Sequence, residues 1–133
     1  MRLAEGTAMG RLADDEYVVV FITTAAGEEA RLISRALLEQ RKAACVNIVP
    51  GVSSLFWWQG GIDSAEESLL VVKTRASLLD DIVQLVKKIH ANDVPEIIAL
   101  PVVGGNKDYL EWVGKEVGGK GLEPENRQDY RGV

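Results

Sequence analysis

The chain has 133 residues, a length typical of one domain, and a hydrophobic fraction of 47%, which suffices for a core without disulfide bonds. Its net charge of −5 disfavours the phosphate contacts of a nucleic-acid-binding protein. Cys45 is the single cysteine, so no intramolecular disulfide forms, as is typical of a reducing compartment. No apolar run reaches the roughly 18 residues that a membrane-spanning helix requires. We therefore expect a cytoplasmic protein that binds neither nucleic acid nor membrane.

The two ends of the chain differ in composition from its middle. Residues 1–16 are highly charged and carry little apolar surface, so they are predicted to form a disordered leader. Residues 118–133 are rich in glycine and charge, and we predict a loose tail there. Residues 17–117 remain as the predicted folded domain.

The first half of this domain predicts a strand, a helix and a long hairpin. The β-branched and aromatic run 17–24 is typical of a strand that is covered on both faces. Helical spacing of the apolar residues predicts an amphipathic helix over 28–44. Two long strands are predicted at 45–59 and 62–75, joined by a tight turn at Gly60 and Gly61.

The second half predicts a helix, a strand and a short C-terminal helix. Ser77 and Asp80 have the spacing of a capping box, which marks the start of the second amphipathic helix. An apolar segment at 94–103 and a helix at about 106–117 follow. The order β-α-β-β-α-β plus a C-terminal helix predicts an α+β, ferredoxin-like fold with a four-stranded antiparallel sheet.

The hairpin is unusual, because its strands exceed the common length of roughly 3–10 residues. Pro50 and Gly51 interrupt the first of them, which indicates an edge position or a β-bulge. The part of the hairpin that extends past the sheet carries tryptophans, and we expect it to pair with a second subunit.

Five collinear segments between about residues 17 and 115 resemble the CutA divalent-cation tolerance proteins. They are 43–51, 54–60, 72–75, 94–101 and 105–112. The resemblance implies a cytoplasmic homotrimer of ferredoxin-like subunits, similar in architecture to PII proteins and connected with tolerance of copper and other divalent cations. It also leads us to expect no enzymatic activity and no catalytic residues.

His90, Glu96 and Cys45 are the candidate metal ligands. His90 is the only histidine, and family members have a histidine in the matching place, although Pro-Tyr usually follows it where this chain has Ala91 and Asn92. Imidazole ligates metals well, but a histidine at a helix C-terminus is also favoured by the helix dipole. Glu96 could bind a cation, pair with Lys73 or cap a strand end, and Cys45 could be a soft donor or a small core residue. We expect no tightly bound cofactor and, at most, weak copper binding.

Five further residues are predicted to line clefts or interfaces between subunits: Trp57, Trp58, Lys73, Tyr109 and Trp112. Aromatic side chains on an overhanging hairpin are more often interface core than ligand walls. The leading hypothesis is a trimer that binds divalent metal or small ligands weakly in clefts between subunits. The alternatives are a PII-like sensor of a small ligand, and a structural or interaction trimer whose effect on metal tolerance is indirect.

Overall fold

The computed structural model describes residues 16–121, so the predicted leader up to residue 15 and the tail from residue 122 lie outside the described residues. The elements are β1 (Tyr17–Ala25), α1 (Glu28–Glu39), β2 (Cys45–Trp58), β3 (Gly61–Arg75), a 3-10 turn (Ala76–Leu78), α2 (Leu79–Ile89), β4 (Ile97–Pro101) and α3 (Lys107–Glu116). The strands pair antiparallel in the order β2-β3-β1-β4. This is the predicted α+β, ferredoxin-like arrangement, with α3 added after β4.

The core lies between one face of the sheet and the two helices α1 and α2. Because side chains alternate along a strand, every second residue of β1 and β3 points into this layer. The helices meet these residues with their own apolar stripes. The largest fully buried apolar side chains of this core are Val18, Val20, Ile22, Leu70 and Val72 from the sheet, Ile33 and Leu37 from α1, and Ile82 and Val86 from α2.

The hairpin of β2 and β3 pairs from Cys45 opposite Lys73 to Trp58 opposite Gly61. Its register shifts between Val49 and Val52, so the predicted bulge at Pro50 and Gly51 is present. The turn differs from the prediction by one residue, because Gln59 and Gly60 occupy it with φ of 50° and 81°. A two-residue turn of this kind needs positive φ at both central positions, and here the glutamine adopts it as well.

The first helix is shorter than predicted. It ends at Glu39 because Arg41 takes a left-handed conformation with φ of 58°. The backbone N–H groups of Lys42 and Ala43 both donate to the Leu37 carbonyl, at 2.9 and 3.2 Å. The chain thereby reverses within one turn, and residues 40–44 connect α1 to β2 instead of continuing the helix.

The other two helices differ in how their N-termini are capped. The predicted capping box before α2 is wrong, because Ser77 lies inside the 3-10 turn and the helix has no side-chain cap. In contrast, the Asn106 side chain caps α3 by accepting from the Asp108 N–H at 3.0 Å. After α3, the Gly118 N–H donates to the Arg41 carbonyl at 2.8 Å, which ties the start of the predicted tail to the α1–β2 connection.

Candidate functional site

The face of the sheet opposite α1 and α2 is largely apolar, and we call it the open face. It consists of Val19 and Phe21 of β1, Leu69, Val71 and Lys73 of β3, Cys45, Asn47 and Val49 of β2, and Ile98 and Leu100 of β4. The prediction of a first strand covered on both faces holds for its core side, where α1 and α2 pack, and on the open face only near Tyr17, where α3 contacts it. Ile98 keeps 52% of its surface exposed, and apolar patches of this kind commonly mark a binding surface.

Lys73 lies on the open face and forms the centre of a polar cluster. Cys45 lies directly opposite it on β2, and Asn47 lies on the adjacent diagonal. The Lys73 Nζ donates to Asn47 Oδ1 and also contacts Cys45 Sγ at 4.0 Å. The hairpin register therefore brings together two of the residues that the sequence singled out, although they are 28 positions apart.

Tyr109 reaches this cluster from α3. Partial burial raises the pKa of Tyr109 above its ordinary value, and the charge of the Cys45 thiolate and a hydrogen bond to Cys45 act in the same direction. The Trp112 ring lies one turn further along the helix, with its centroid 5.6 Å from that of Tyr109. We call Cys45, Asn47, Lys73 and Tyr109 the Lys73 cluster. It offers one fixed cation, one soft sulfur donor and one hydroxyl beside an exposed aromatic pair.

His90 lies at the other end of the sheet, and both of its ring nitrogens are engaged. Nε2 is 2.8 Å from the Thr23 carbonyl, and Nδ1 accepts from the Asn92 N–H at 3.0 Å. Because Nδ1 accepts, the proton resides on Nε2, which donates to Thr23. The side chain is only 2% exposed. In this arrangement the imidazole joins the α2–β4 connection to β1 and presents no free lone pair.

Glu29 completes the surroundings of His90 and was not predicted as a site residue. Its carboxylate accepts from the Ala25 N–H and from the Ala91 N–H, both at 2.9 Å, and lies 3.6 Å from His90 Nε2. The sequence showed only an acidic residue in the first turn of α1, which is favourable at any helix N-terminus. The role of Glu29 depends on Ala91, which is 62 positions away.

The remaining predicted site residues lie apart from one another. Glu96 is exposed immediately before β4, while Lys73, its predicted pairing partner, bonds to Asn47 instead. Trp57 and Trp58 are at the exposed end of the hairpin. Within residues 16–121, no three side chains from His, Cys, Asp and Glu are grouped so that they could hold a metal ion. The described part of one subunit therefore does not by itself provide a metal centre.

Comparison with known proteins identifies the family. The family model described as CutA1 divalent ion tolerance protein matches residues 18–116. This chain belongs to the CutA1 family. The divalent-cation tolerance protein CutA of Thermus thermophilus is 47% identical over 100 residues, which cover 75% of this chain and 97% of that relative.

CutA1 structures confirm the fold. The CutA1 structure from Thermus thermophilus has a TM-score of 0.76 at 46% identity and covers 77% of this chain and 99% of its own. The CutA1 structure from Oryza sativa has the same TM-score of 0.76 at 44% identity, and the match covers 77% of this chain and 94% of that one.

Some CutA relatives are much longer than this chain. The chloroplastic CutA 1 protein of Oryza sativa is 47% identical over 96 residues, 72% of this chain but only 54% of that protein. This chain thus spans about half the length of the plant relatives that it matches. None of the helices in the described region, 16–121, has the length and apolarity needed to cross a bilayer.

Proposed function

We propose that this CutA1 chain acts as a homotrimer in the tolerance of divalent cations, copper among them, and binds such ions or small ligands weakly in clefts between subunits. The observation that carries the proposal is the open face together with the hairpin that extends beyond it. Both expose apolar surface that a second copy of the chain would remove from water. Burial of such surface stabilises an assembly by about 25 cal/mol per Å².

The overhang of the hairpin supports the assembly. β1 pairs with β3 only as far as Glu67, so the hairpin beyond this residue is a two-stranded ribbon. Isolated two-stranded ribbons are marginally stable in water. Large apolar side chains nevertheless crowd this one, with Trp57 exposed by 75%, Leu55 by 74% and Ile62 by 69%. A neighbouring subunit that packs on the ribbon would account for both features.

The metal part of the proposal rests on the location of the donors. Since the described residues of one subunit bring no three donors together, an ion would recruit side chains from more than one subunit. Cys45 is the soft donor that lies half-exposed on the open face, where subunits are proposed to meet. A site centred on His90 and Glu96, as predicted from the sequence, would require His90 to give up its hydrogen bond to Asn92.

Sedimentation velocity tests the assembly. We expect a trimer for the wild type at micromolar concentration and smaller species for Trp57→Asp, because a charge buried without a partner in an interface is costly. Leu32→Asp is the matched control, since it places the same charge on an exposed leucine of α1. A monomeric wild type, or equal dissociation of both variants, would contradict the proposed trimer.

Calorimetric titration with Cu²⁺ tests the metal site. We expect weak binding that Cys45→Ser reduces, with His90→Ala as the companion variant for the site predicted from the sequence. Any binding that depends on imidazole should weaken at acidic pH, because a protonated ring does not ligate. Equal binding by all three proteins would favour the trimer with an indirect effect on metal tolerance.

Melting-temperature shifts distinguish the sensor alternative, because a ligand that binds the native state stabilises it by RT ln(1 + [L]/Kd). Stabilisation by copper or zinc supports the metal hypothesis, whereas stabilisation by nucleotides or small anions alone would favour a PII-like sensor. The cytoplasmic location and the absence of enzymatic activity stay predictions. The family description names divalent ion tolerance, and two plant relatives are named chloroplastic.

A further inference from the structure

An apolar groove runs between α1 and the edge strand β2, on the opposite side of the sheet from the open face. Its apolar walls are Leu32 and Leu38 of α1 and Val46 and Ile48 of β2. Leu32 keeps 52% of its surface exposed, and the other three side chains are half-buried. The cavity in the groove, about 240 Å³, equals the volume of about eight water molecules at roughly 30 Å³ each, so it has room for one or two apolar side chains.

The chain after α3 returns to the C-terminal end of α1, next to this groove. The Gly118 N–H donates to the Arg41 carbonyl at 2.8 Å. Gly121, the last described residue, packs so closely on the end of α1 that an added Cβ would lie 2.5 Å from the Glu39 carbonyl oxygen. Because Leu38 directly precedes Glu39, the described region ends one residue away from a wall of the groove.

The segment that follows is long enough to reach every wall of the groove. Residues 122–133 are twelve residues, which span about 40 Å when fully extended. The helix rises only about 9 Å from Leu38 back to Leu32. The two largest apolar side chains of the segment are those of Leu122, which directly follows Gly121, and Tyr130. The segment therefore has both the reach and the apolar anchors to fill the groove.

This segment also has an advantage over a separate molecule. Since Gly121 is fixed on the end of α1, the residues after it are held near the groove at an effective concentration of about 1 mM or more. A free ligand or a second copy of the chain at micromolar concentration competes poorly with a tethered segment. The position of Gly121 thus favours the chain's own residues as the occupant.

We propose that residues 122–133 fold back along α1 and dock in this groove, with Leu122 against Leu38 and Tyr130 further along, near Leu32 and Ile48. The apolar surface that is removed from water offsets the entropy lost when the segment is ordered. The docked segment covers the outermost strand of the sheet on its helix side. This surface is separate from the Lys73 cluster and from His90, so the inference goes beyond the proposed function.

Paramagnetic broadening in NMR spectra locates the segment. A nitroxide is attached at Asn126→Cys in a Cys45→Ser background, which leaves one thiol for the label. The ¹⁵N-labelled chain that carries the nitroxide is refolded with an excess of unlabelled, unmodified chain, so that only effects within one chain are seen. We expect the Leu32 and Ile48 amide signals to broaden. The Trp58 amide, about 33 Å from Ile48 along β2, should stay sharp.

The reverse labelling identifies whose segment occupies the groove. A ¹⁵N-labelled chain without nitroxide is refolded with an excess of unlabelled chain that carries it. We expect no broadening of Leu32 and Ile48 in this sample. Broadening here but not in the first sample would overturn the proposal and assign the groove to the segment of a second copy. Sharp Leu32 and Ile48 signals in both samples would overturn it as well.

Variants of the apolar anchors test the reason for docking. Leu122→Asp combined with Tyr130→Asp should abolish the broadening within one chain, because a charge is penalised against apolar walls. Gln128→Asp combined with Glu125→Gln is the matched control, since it changes two polar residues of the same segment and should retain the broadening. Broadening that survives the loss of both anchors, or that the control also abolishes, would refute docking through Leu122 and Tyr130.

Discussion

Replacing Ser34 with alanine should make this protein more stable, which is the opposite of what most substitutions in a buried helix do. The hydroxyl is buried and lacks a partner within residues 16–121, and such a group costs about 1–3 kcal/mol. We take the lower part of that range, because alanine also loses the van der Waals contacts of the hydroxyl oxygen. Alanine also has the better helix propensity, by about 0.5 kcal/mol. The free energy of unfolding should rise by about 1–2 kcal/mol.

Urea denaturation followed by circular dichroism measures this change, at equal protein concentrations because assembly contributes to apparent stability. The slope with urea should stay the same while the midpoint rises, and the melting temperature should increase by about 4 °C per kcal/mol. Ser77→Ala is the control for propensity alone, since Ser77 is exposed in the 3-10 turn. A Ser34→Ala protein that is less stable than the wild type would refute the reasoning and show that the hydroxyl has a partner in solution.

Three further predictions concern other buried or partly buried polar groups. Thr74→Val removes the bond of 2.6 Å to the Lys42 carbonyl and should lower the free energy of unfolding by about 1–3 kcal/mol; an unchanged urea midpoint would contradict this. Glu29→Gln leaves one of two backbone N–H groups without its carboxylate acceptor and should speed amide exchange in the loops before α1 and after α2; unaltered exchange would argue against this role. Tyr109 has a raised pKa, so the stability that it contributes should be present below pH of about 10 and decline as the pH rises through the folded pKa. Absorbance titration should show a late-ionising tyrosine that Cys45→Ser shifts down, and identical titration curves would count against it.

The fold was predictable from the sequence because its signals are local. Alternating apolar residues mark the strands, helical spacing marks α1 and α2, and the glycines near residue 60 mark the hairpin turn. The sequence-based prediction was wrong about the end of α1 and the position of the hairpin turn, because the backbone conformation of a single residue determines each of them. Nothing in the sequence around Arg41 indicates the left-handed conformation that ends α1 early, and a glutamine instead of a second glycine takes the positive φ of the turn.

The candidate site was predictable only in part, because its contacts are not local. The family resemblance drew attention to Lys73 and Tyr109, but only the strand register shows that Cys45 lies opposite the lysine. Thr23 accepts from His90 across 67 positions, and no spacing rule reveals such a pair. The sequence alone therefore does not distinguish a histidine that ligates a metal from one that joins two segments of the chain by hydrogen bonds. The contacts of His90 indicate the second role.

The bulge in β2 decides which aromatic side chains share the side of the open face. It adds one residue between Val49 and Val52, so the alternation of β2 reverses beyond it. Odd-numbered residues such as Val49 point to the open face before the bulge, whereas even-numbered residues such as Trp58 do so after it. If the same residues paired without the bulge, the two sides would be exchanged, and Trp57 would turn to the side that Trp58 now occupies. The surface offered to a neighbouring subunit thus depends on the count of residues in the strand as much as on their identity.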